Sequence, residues 1–141
     1  MENELSAVTN LYLSFFSEMN SWEKYCETID EDTSLSEDAK TTLMRNKVSD
    51  IFAQYCTPKD RKNGRPNCIS FGFKGSYIYD TDKENISSIE QPKSNRIIIY
   101  TERINGLLHE KHCYLIIKKD NQWRIDGKKR LWNDKWSNIY L

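Results

Sequence analysis

The histidines and cysteines are the side chains best suited to metal or nucleophilic chemistry, but their spacing gives that chemistry little support. His109 and His112 are three residues apart, one short of the separation that lets two histidines bind zinc from one helix face. They lie in strand-like sequence, where an odd separation points the rings to opposite faces of a sheet. None of the four cysteines belongs to a CxxC pair. These are Cys26, Cys56, Cys68 and Cys113. The pattern predicts surface histidines and buried free thiols, with no metal and no cofactor.

Six polar residues between positions 20 and 32 form a candidate protein-binding edge. They are Asn20, Glu23, Glu27, Asp30, Glu31 and Asp32. The first four step by three and four, so they follow one edge of a helix, and the last two extend it into a loop. Residues 1–56 hold 11 acidic and 4 basic residues, and residues 57–141 hold 10 acidic and 17 basic. The group favours a basic partner, although each residue also suits a solvated helix face. Glu23 adjoins the apolar stripe and could instead be a buried hydrogen-bond acceptor.

Basic and aromatic residues alternate in the last quarter of the chain, a combination that suits phosphate contacts and base stacking. The residues are Lys118, Lys119, Arg124, Lys128, Lys129, Arg130, Lys135, Trp123, Trp132 and Trp136. The whole chain nevertheless has 21 basic and 21 acidic residues, which cancel. Tryptophans are also more simply explained as anchors in the core or the C-terminal tail. A nucleic-acid partner is therefore disfavoured.

Two helices must position the acidic edge. Apolar residues recur at steps of three and four from Leu5 to Ile29, which predicts a long amphipathic helix. Ser34 and Glu37 fit a capping box that starts a second helix, and Pro58 ends it. The residues expected to turn inward on the second helix are Ala39, Leu43, Val48, Ile51, Phe52 and Tyr55.

After a basic loop at residues 57–67 the apolar period changes to two, which predicts strands. The predicted strands cover residues 69–73, 77–79, 96–104, 107–119 and 122–126. Asn105-Gly106 and Asp120-Asn121 predict two tight hairpin turns. Residues 80–95 hold no clear element, and residues 127–141 form a tail that we expect to dock on the sheet.

Helices followed by a strand meander predict an α+β fold, with N-terminal helices packed on a curved antiparallel sheet. We expect a single domain over residues 1–141, helical at 1–56, with the sheet and C-terminal tail at 68–141. By analogy, this arrangement is the cone of the cystatin-like, nuclear-transport-factor-2-like fold.

Two blocks of sequence narrow this resemblance. Phe15 to Glu23, reading FFSEMNSWE, resembles the opening motif of the bacterial nuclear-transport-factor-2-fold immunity proteins. Trp123 to Lys129, followed by Trp136, resembles that family's closing block. The motif residues to which we assign a structural role are Phe15, Phe16, Met19, Trp22, Trp123, Asp126 and Trp136. The two blocks bracket nearly the whole chain, and neither is catalytic.

The resemblance implies an immunity protein that binds a cognate toxin of a polymorphic toxin system and protects the producing cell. The acidic edge would then be the toxin-binding surface. The longest apolar runs are far shorter than the roughly 20 residues of a membrane span, and the acidic N-terminus lacks the pattern of a signal peptide. We therefore expect a cytoplasmic protein without a membrane segment. The oligomeric state, a dimer included, stays open.

The alternative is a small-molecule isomerase or dehydratase of the same fold. Such enzymes use carboxylate, imidazole and phenol groups inside the cone, tuned by apolar burial. The groups that could converge there are Asp126, His112, Tyr100, Tyr114 and Glu23. The strand alternation does not force two titratable groups to face inward together, so the non-enzymatic hypothesis is preferred.

Overall fold

Two helices and a five-stranded antiparallel sheet make up the computed structural model, which describes residues 2–141, with side chains from residue 4 onward. The helices are α1 (Glu2–Glu31) and α2 (Glu37–Tyr55). The strands are β1 (Glu84–Lys93), β2 (Arg96–Asn105), β3 (Leu108–Lys119), β4 (Gln122–Trp132) and β5 (Lys135–Ile139). They lie in sequence order and pack their inner face against the helices. This confirms the predicted α+β fold with a curved sheet. Neither α1 nor α2 combines the length and apolar character needed to cross a bilayer.

The stripe on α1 forms the centre of the core, as its spacing predicts. Six of its residues are at most 3% exposed, namely Val8, Tyr12, Phe15, Met19, Trp22 and Cys26. Phe15 packs edge-on against Phe52 of α2, with the ring centroids 5.8 Å apart. The Trp22 indole Nε1 donates a hydrogen bond to the Met44 carbonyl oxygen at 2.9 Å. These contacts fix the two helices against each other.

The start of α2 differs from the predicted capping box. Ser36, not Ser34, is the N-cap, and its hydroxyl accepts a hydrogen bond from the Ala39 amide at 3.1 Å. Ser34 is instead held by the Asp32 carboxylate in the preceding turn. The inward face of α2 also differs from the prediction: Lys40 and Met44 are buried, whereas Leu43 is 38% exposed. After Tyr55 the chain meets the sheet, where the Thr57 amide donates to the Ile125 carbonyl.

The segment between α2 and β1 contains no strand, so the strands predicted at 69–73 and 77–79 are wrong. Ile69, Phe71 and Ile78 do pack against the core, and Tyr77 and Tyr79 are buried. Its amides, however, find their acceptors on α1 rather than on a neighbouring strand. The Glu23 carboxylate accepts hydrogen bonds from the Gly72, Ile78 and Tyr79 amides. We call residues 72–83 the clasp loop.

Two edge strands lie where the sequence predicts none. β1 falls in the polar stretch 80–95, and its alternation is interrupted by register shifts between Ile86 and Ser88 and between Glu90 and Lys93. Residues of an edge strand that face solvent need not be apolar, so the period-two signal is lost. The tail expected at 127–141 instead continues β4 to Trp132 and then forms β5, which pairs with β4 through a turn at Asn133-Asp134 with positive φ. Both predicted hairpins form. The second loop is Asp120-Asn121 as predicted, but the first is Gly106-Leu107, because Asn105 pairs with Leu108.

A bulge in β4 sets the composition of the inner face. Leu115 pairs with Gly127, but Ile116 pairs with Ile125, so Asp126 has no opposite residue. The extra residue lets Ile125 and Lys128 both face the helices although they are three apart. A charged lysine therefore enters the interior of the cone.

Candidate functional site

The acidic edge predicted on α1 is divided by the structure into a buried and an exposed part. Asn20 is 8% exposed and Glu23 is fully buried. The Asn20 amide nitrogen donates to the Tyr79 carbonyl at 2.6 Å. Glu23 receives the Gly72 and Tyr79 amides at 2.7 Å and the Ile78 amide at 3.0 Å. Both residues hold the clasp loop, which corrects their placement on an exposed edge and bears out the alternative role suggested for Glu23.

Glu27 also holds the clasp loop, although it keeps partial exposure. Its carboxylate accepts a hydrogen bond from the Tyr77 hydroxyl at 2.7 Å and from the Lys74 amide at 3.1 Å. These bonds, the tyrosine's first, lower the pKa of Glu27. The same bond raises the pKa of Tyr77 to about 12. Glu27 is therefore held by the clasp loop and is not simply part of a solvated helix face.

The exposed carboxylates lie at the turn between the helices, which we call the acidic turn. Its five exposed acidic residues are Asp30, Glu31, Asp32, Glu37 and Asp38. Asp32 accepts the Ser34 hydroxyl at 2.6 Å and the Ser34 amide at 2.9 Å, which lowers its pKa. Lys40 is 9% exposed and donates a hydrogen bond to the Asp30 carbonyl oxygen at 2.7 Å. Its positive charge therefore partly offsets the negative charge of the acidic turn. Asp30 and Glu31 point carboxylates into solvent.

A second group of polar residues is buried inside the cone, and we call it the interior cluster. It consists of Glu84, Thr101, Arg103, His112, Tyr114 and Lys128. The Glu84 carboxylate is its centre, because it accepts the Thr101 hydroxyl at 2.8 Å and the Tyr114 hydroxyl at 3.1 Å. Arg103 Nη1 lies 3.6 Å from Glu84 Oε1 and also binds the Ile78 carbonyl of the clasp loop. The cluster thus ties β1, β2, β3 and the clasp loop together.

Charge compensation keeps the Glu84 carboxylate ionised. Burial by itself would raise the pKa of Glu84, but the His112 ring, whose Nδ1 lies 3.7 Å from Glu84 Oε1, and the charge of Lys128 lower it to about 2. Burial lowers the pKa of Lys128 to about 8, against the attraction of Glu84. The Lys128 ammonium lies 5.0 Å from the Tyr79 ring centroid and 5.2 Å from that of Tyr114. A buried cation between two ring faces is stabilised by their negative potential.

Of the five residues that the enzymatic alternative needs in one pocket, the structure brings only two together. His112 and Tyr114 meet at Glu84, but Asp126 lies outside, where it accepts the Thr57 hydroxyl at 2.8 Å. Tyr100 faces the outer side of the sheet and packs on Trp136, with the ring centroids 5.7 Å apart. The sequence does not identify Glu84, because it lies in a strand that the apolar pattern does not predict. The one sequence signal for a buried polar cluster is that Thr101, Arg103, His112 and Tyr114 alternate toward one face of the sheet.

One histidine and one cysteine differ in burial from the prediction of surface histidines and buried thiols. His109 is exposed, but His112 is buried between Glu84 and Glu110 rather than at the surface. The two carboxylates lie on opposite ring nitrogens of His112, which is unsuited to one shared metal. Across residues 4–141 no three histidine, cysteine or acidic side chains are grouped to hold a metal ion. Cys26, Cys56 and Cys113 are buried free thiols as predicted, whereas Cys68 is exposed.

The basic residues proposed as a nucleic-acid surface do not share one face. Lys128 is buried, Lys118 pairs with Glu4 at 3.0 Å, and Arg124 donates to the Ala53 carbonyl at the end of α2. A groove of about 510 Å³ lies at the edge of β4, lined by Lys59, Arg61, Lys62, Lys129 and Asp126 among others. Of the three tryptophans, Trp123 packs on the core, while Trp132 and Trp136 are 63% and 39% exposed. The expectation that the tryptophans anchor the core or the tail therefore does not hold for all three.

Comparison with known proteins gives one family and one curated relative. The family described as NTF2 fold immunity protein matches residues 7–139. The chain is 34% identical over 145 residues to the immunity protein RhsIA of Dickeya dadantii (strain 3937), with 98% of each chain covered. No solved structure matches. The matched residues include both blocks that carry the resemblance, 15–23 and 123–129 with Trp136.

Proposed function

Because this chain belongs to the family of NTF2-fold immunity proteins, we propose that it binds a cognate bacterial toxin in the cytoplasm and neutralises it. The observation that carries the proposal is the extent of the likeness: the family matches residues 7–139, and the alignment with RhsIA covers 98% of that protein. The likeness is therefore to a whole immunity protein rather than to a shared structural motif. Binding one toxin per chain, without turnover or metal, accounts for the protection of the producing cell.

The acidic turn supports a basic toxin surface as one point of contact. Asp30 and Glu31 are exposed at the end of α1, and the helix has no basic residue in its last turn. Complementary charges at an interface speed association and exclude partners of the wrong sign. A toxin domain that acts on nucleic acid must itself carry positive charge to hold phosphates. Glu27 and Asp32 contribute negative potential while they keep their structural hydrogen bonds.

The proposal is tested by co-expression with the toxin encoded by the neighbouring gene. Cells that carry both should grow, and cells that carry the toxin alone should not. A catalytically inactive toxin mixed with the purified chain should elute as one complex of defined stoichiometry. Failure of the purified chain to bind that toxin, together with failure to protect, would overturn the proposal.

The isomerase or dehydratase remains the second candidate because His112 and Tyr114 do meet at Glu84. The interior cluster is closed, however, since none of its members is more than 9% exposed. A substrate would have to displace the clasp loop to reach it. Protection that survives chelator treatment would show that neither candidate depends on a metal ion. A His112→Gln variant that folds and binds toxin but no longer protects would favour the enzyme.

A further inference from the structure

Three aliphatic side chains project into solvent at the turn between β2 and β3. Ile104 is 56% exposed, Leu108 is 62% exposed, and Leu107 is as exposed as in an extended chain. Hairpin turns normally carry polar residues, and Gly106, with a φ of 65°, supplies the backbone conformation that the Gly106-Leu107 loop needs. Nothing in the folding of the hairpin therefore requires leucines here. We call these three residues the apolar tip.

The apolar tip is rigidly supported. β2 and β3 pair without a register shift from Arg96↔Ile117 to Asn105↔Leu108. The Lys83 ammonium donates hydrogen bonds to the Asn105 side-chain oxygen at 3.0 Å and to the Gly75 carbonyl at 2.6 Å. The tip is thus fixed both along its strands and against the clasp loop. A backbone that is already ordered loses little conformational entropy when a partner covers the tip.

The same contacts place the tip at the acidic end of the molecule. Lys83 joins the tip to Gly75, and the adjacent Lys74 amide binds the Glu27 carboxylate of α1. Phe73, in the same loop, is 47% exposed and extends the apolar surface toward α1. Glu27 is one helical turn before Glu31 of the acidic turn. Apolar tip, clasp loop and acidic turn therefore form one continuous surface.

We propose that the apolar tip and Phe73 insert into an apolar cleft on the cognate toxin, whose rim carries basic side chains that meet the acidic turn. This inference rests on the proposed function and names the surface that performs it. Aliphatic and aromatic side chains buried at the centre of an interface supply most of its binding energy. Charged groups at the rim set the association rate and the choice of partner.

Charge argues for the toxin and against a second copy of this chain as the occupant. A two-fold dimer brings the same patch of each copy together. That patch would have to supply both signs of charge itself, yet its carboxylates, Glu27 and the five of the acidic turn, outnumber the exposed cations Lys24, Lys74 and Lys111. An excess of like charge across an interface opposes association. A basic-rimmed partner has the complementary charge.

The test uses the purified full chain and a catalytically inactive form of the toxin domain encoded by the neighbouring gene. The variant is Leu107→Ser/Leu108→Ser, and the control is Leu13→Ser, which removes a 49% exposed leucine from the N-terminal half of α1. We expect the double variant to raise Kd by at least about 30-fold, mainly through faster dissociation. The control should bind like the wild type. Both should keep the wild-type melting temperature, because the deleted side chains are exposed.

Hydrogen exchange on the wild-type complex gives a second measurement that needs no variant. The amides at residues 73–76 and 105–108 should exchange more slowly when toxin is bound. Wild-type affinity of the double variant, or unchanged exchange at these amides, would overturn the docking surface and leave the immunity role standing. Failure of the wild type to bind toxin would overturn both. A wild-type dimer that the double variant dissociates would assign the tip to a second copy instead.

Discussion

Among the charged side chains described on α1, Glu23 makes the most hydrogen bonds to the clasp loop. It is fully buried, and its two oxygens accept three amide hydrogen bonds from the clasp loop. These amides have no strand partner, so the carboxylate takes the place of a β-ladder. A buried carboxylate is tolerated when such bonds replace its hydration. The family's opening motif therefore ends on a residue whose role is to fix a distant loop.

Glu23→Ala should lower the free energy of unfolding by about 3 kcal/mol or more, since it leaves three amides without their acceptor. Urea denaturation followed by far-ultraviolet circular dichroism measures the loss. Glu31→Ala is the matched control, because it removes an exposed carboxylate two turns further along the same helix. The control should change stability by less than about 0.5 kcal/mol. Equal effects for the two variants would contradict the assigned role of Glu23.

Glu84 should make the protein sensitive to acid. Its pKa is about 2 in the folded protein, against 4.5 as its ordinary value. A carboxyl with a lowered folded-state pKa stabilises the fold above its ordinary pKa, and that stabilisation is lost as the pH falls toward 2. The shift corresponds to about 3 kcal/mol. Glu84→Gln should be less stable than the wild type at pH 6, and the difference should shrink by about this amount at pH 2. A constant difference across the range would show that Glu84 does not titrate as described.

At the scale of elements, the sequence pattern predicts those helices and turns that are stabilised by residues close together in the chain. The three- and four-residue spacing on α1 and the Asn-Gly and Asp-Asn turns are short-range signals, and the corresponding helix and hairpins form where predicted. The clasp loop alternates like a strand, yet its amide acceptors come from Glu23, about 50 residues earlier in the chain. β1 carries bulges and exposed polar residues, so its period is hidden. Long-range partners decided both of the wrong assignments.

The same limit applies to the candidate site. The spacing of Asn20, Glu23 and Glu27 correctly places them along one helix edge, but it does not say what covers that edge. The clasp loop covers it, and only Asp30 and the residues after it remain exposed. Glu84 could not be found because its strand was not predicted. The apolar tip, by contrast, is visible in the sequence as two leucines directly after a turn signal.

Packing of α1 on α2 depends on Trp22. The side chain is fully buried, its indole donates to the Met44 carbonyl, and its ring lies 6.3 Å from that of Phe71 and 5.5 Å from the Arg65 guanidinium carbon. Trp22→Ala should cost about 3–5 kcal/mol and lower the melting temperature. Trp132→Ala, which removes a 63% exposed indole, should leave the melting temperature nearly unchanged. An unaltered melting temperature for Trp22→Ala would place this residue outside the core.

At the scale of the whole molecule, charge is unequally divided between the layers. Residues 1–56 have 11 acidic and 4 basic residues and form the two helices, while the basic excess lies in the segment that builds the sheet. Within residues 4–56 the exposed acids lie at the acidic turn except Asp50, and the basic groove lies beyond the opposite end of α2, near Thr57. A 19-residue helix separates the two by about 28 Å. The molecule therefore presents a directional field to an approaching charged partner.

That field predicts how reversing the acidic turn alters association. Asp30→Lys/Glu31→Lys should keep the fold, because both side chains are exposed and Asp30 binds Lys40 only through its backbone carbonyl. New lysines at the C-terminal end of α1 also suit the helix dipole. Stopped-flow association with the inactive toxin should slow at low salt, and the salt dependence of the rate should weaken. Dissociation should change less, because the apolar tip is untouched.

Net charge must be separated from local charge in this experiment. Asp50→Lys/Glu90→Lys changes the total charge by the same amount at exposed positions on α2 and β1. If the toxin approaches the acidic turn, this control should retain most of the wild-type association rate. Equal slowing in both variants would mean that only the overall charge matters. A wild-type rate for Asp30→Lys/Glu31→Lys at low salt would place the toxin on another surface, of which the basic groove at Lys59 to Gly64 is the next to be tested. The charge at the turn and the leucines at the tip therefore predict separable effects, one on the rate of encounter and the other on the lifetime of the complex.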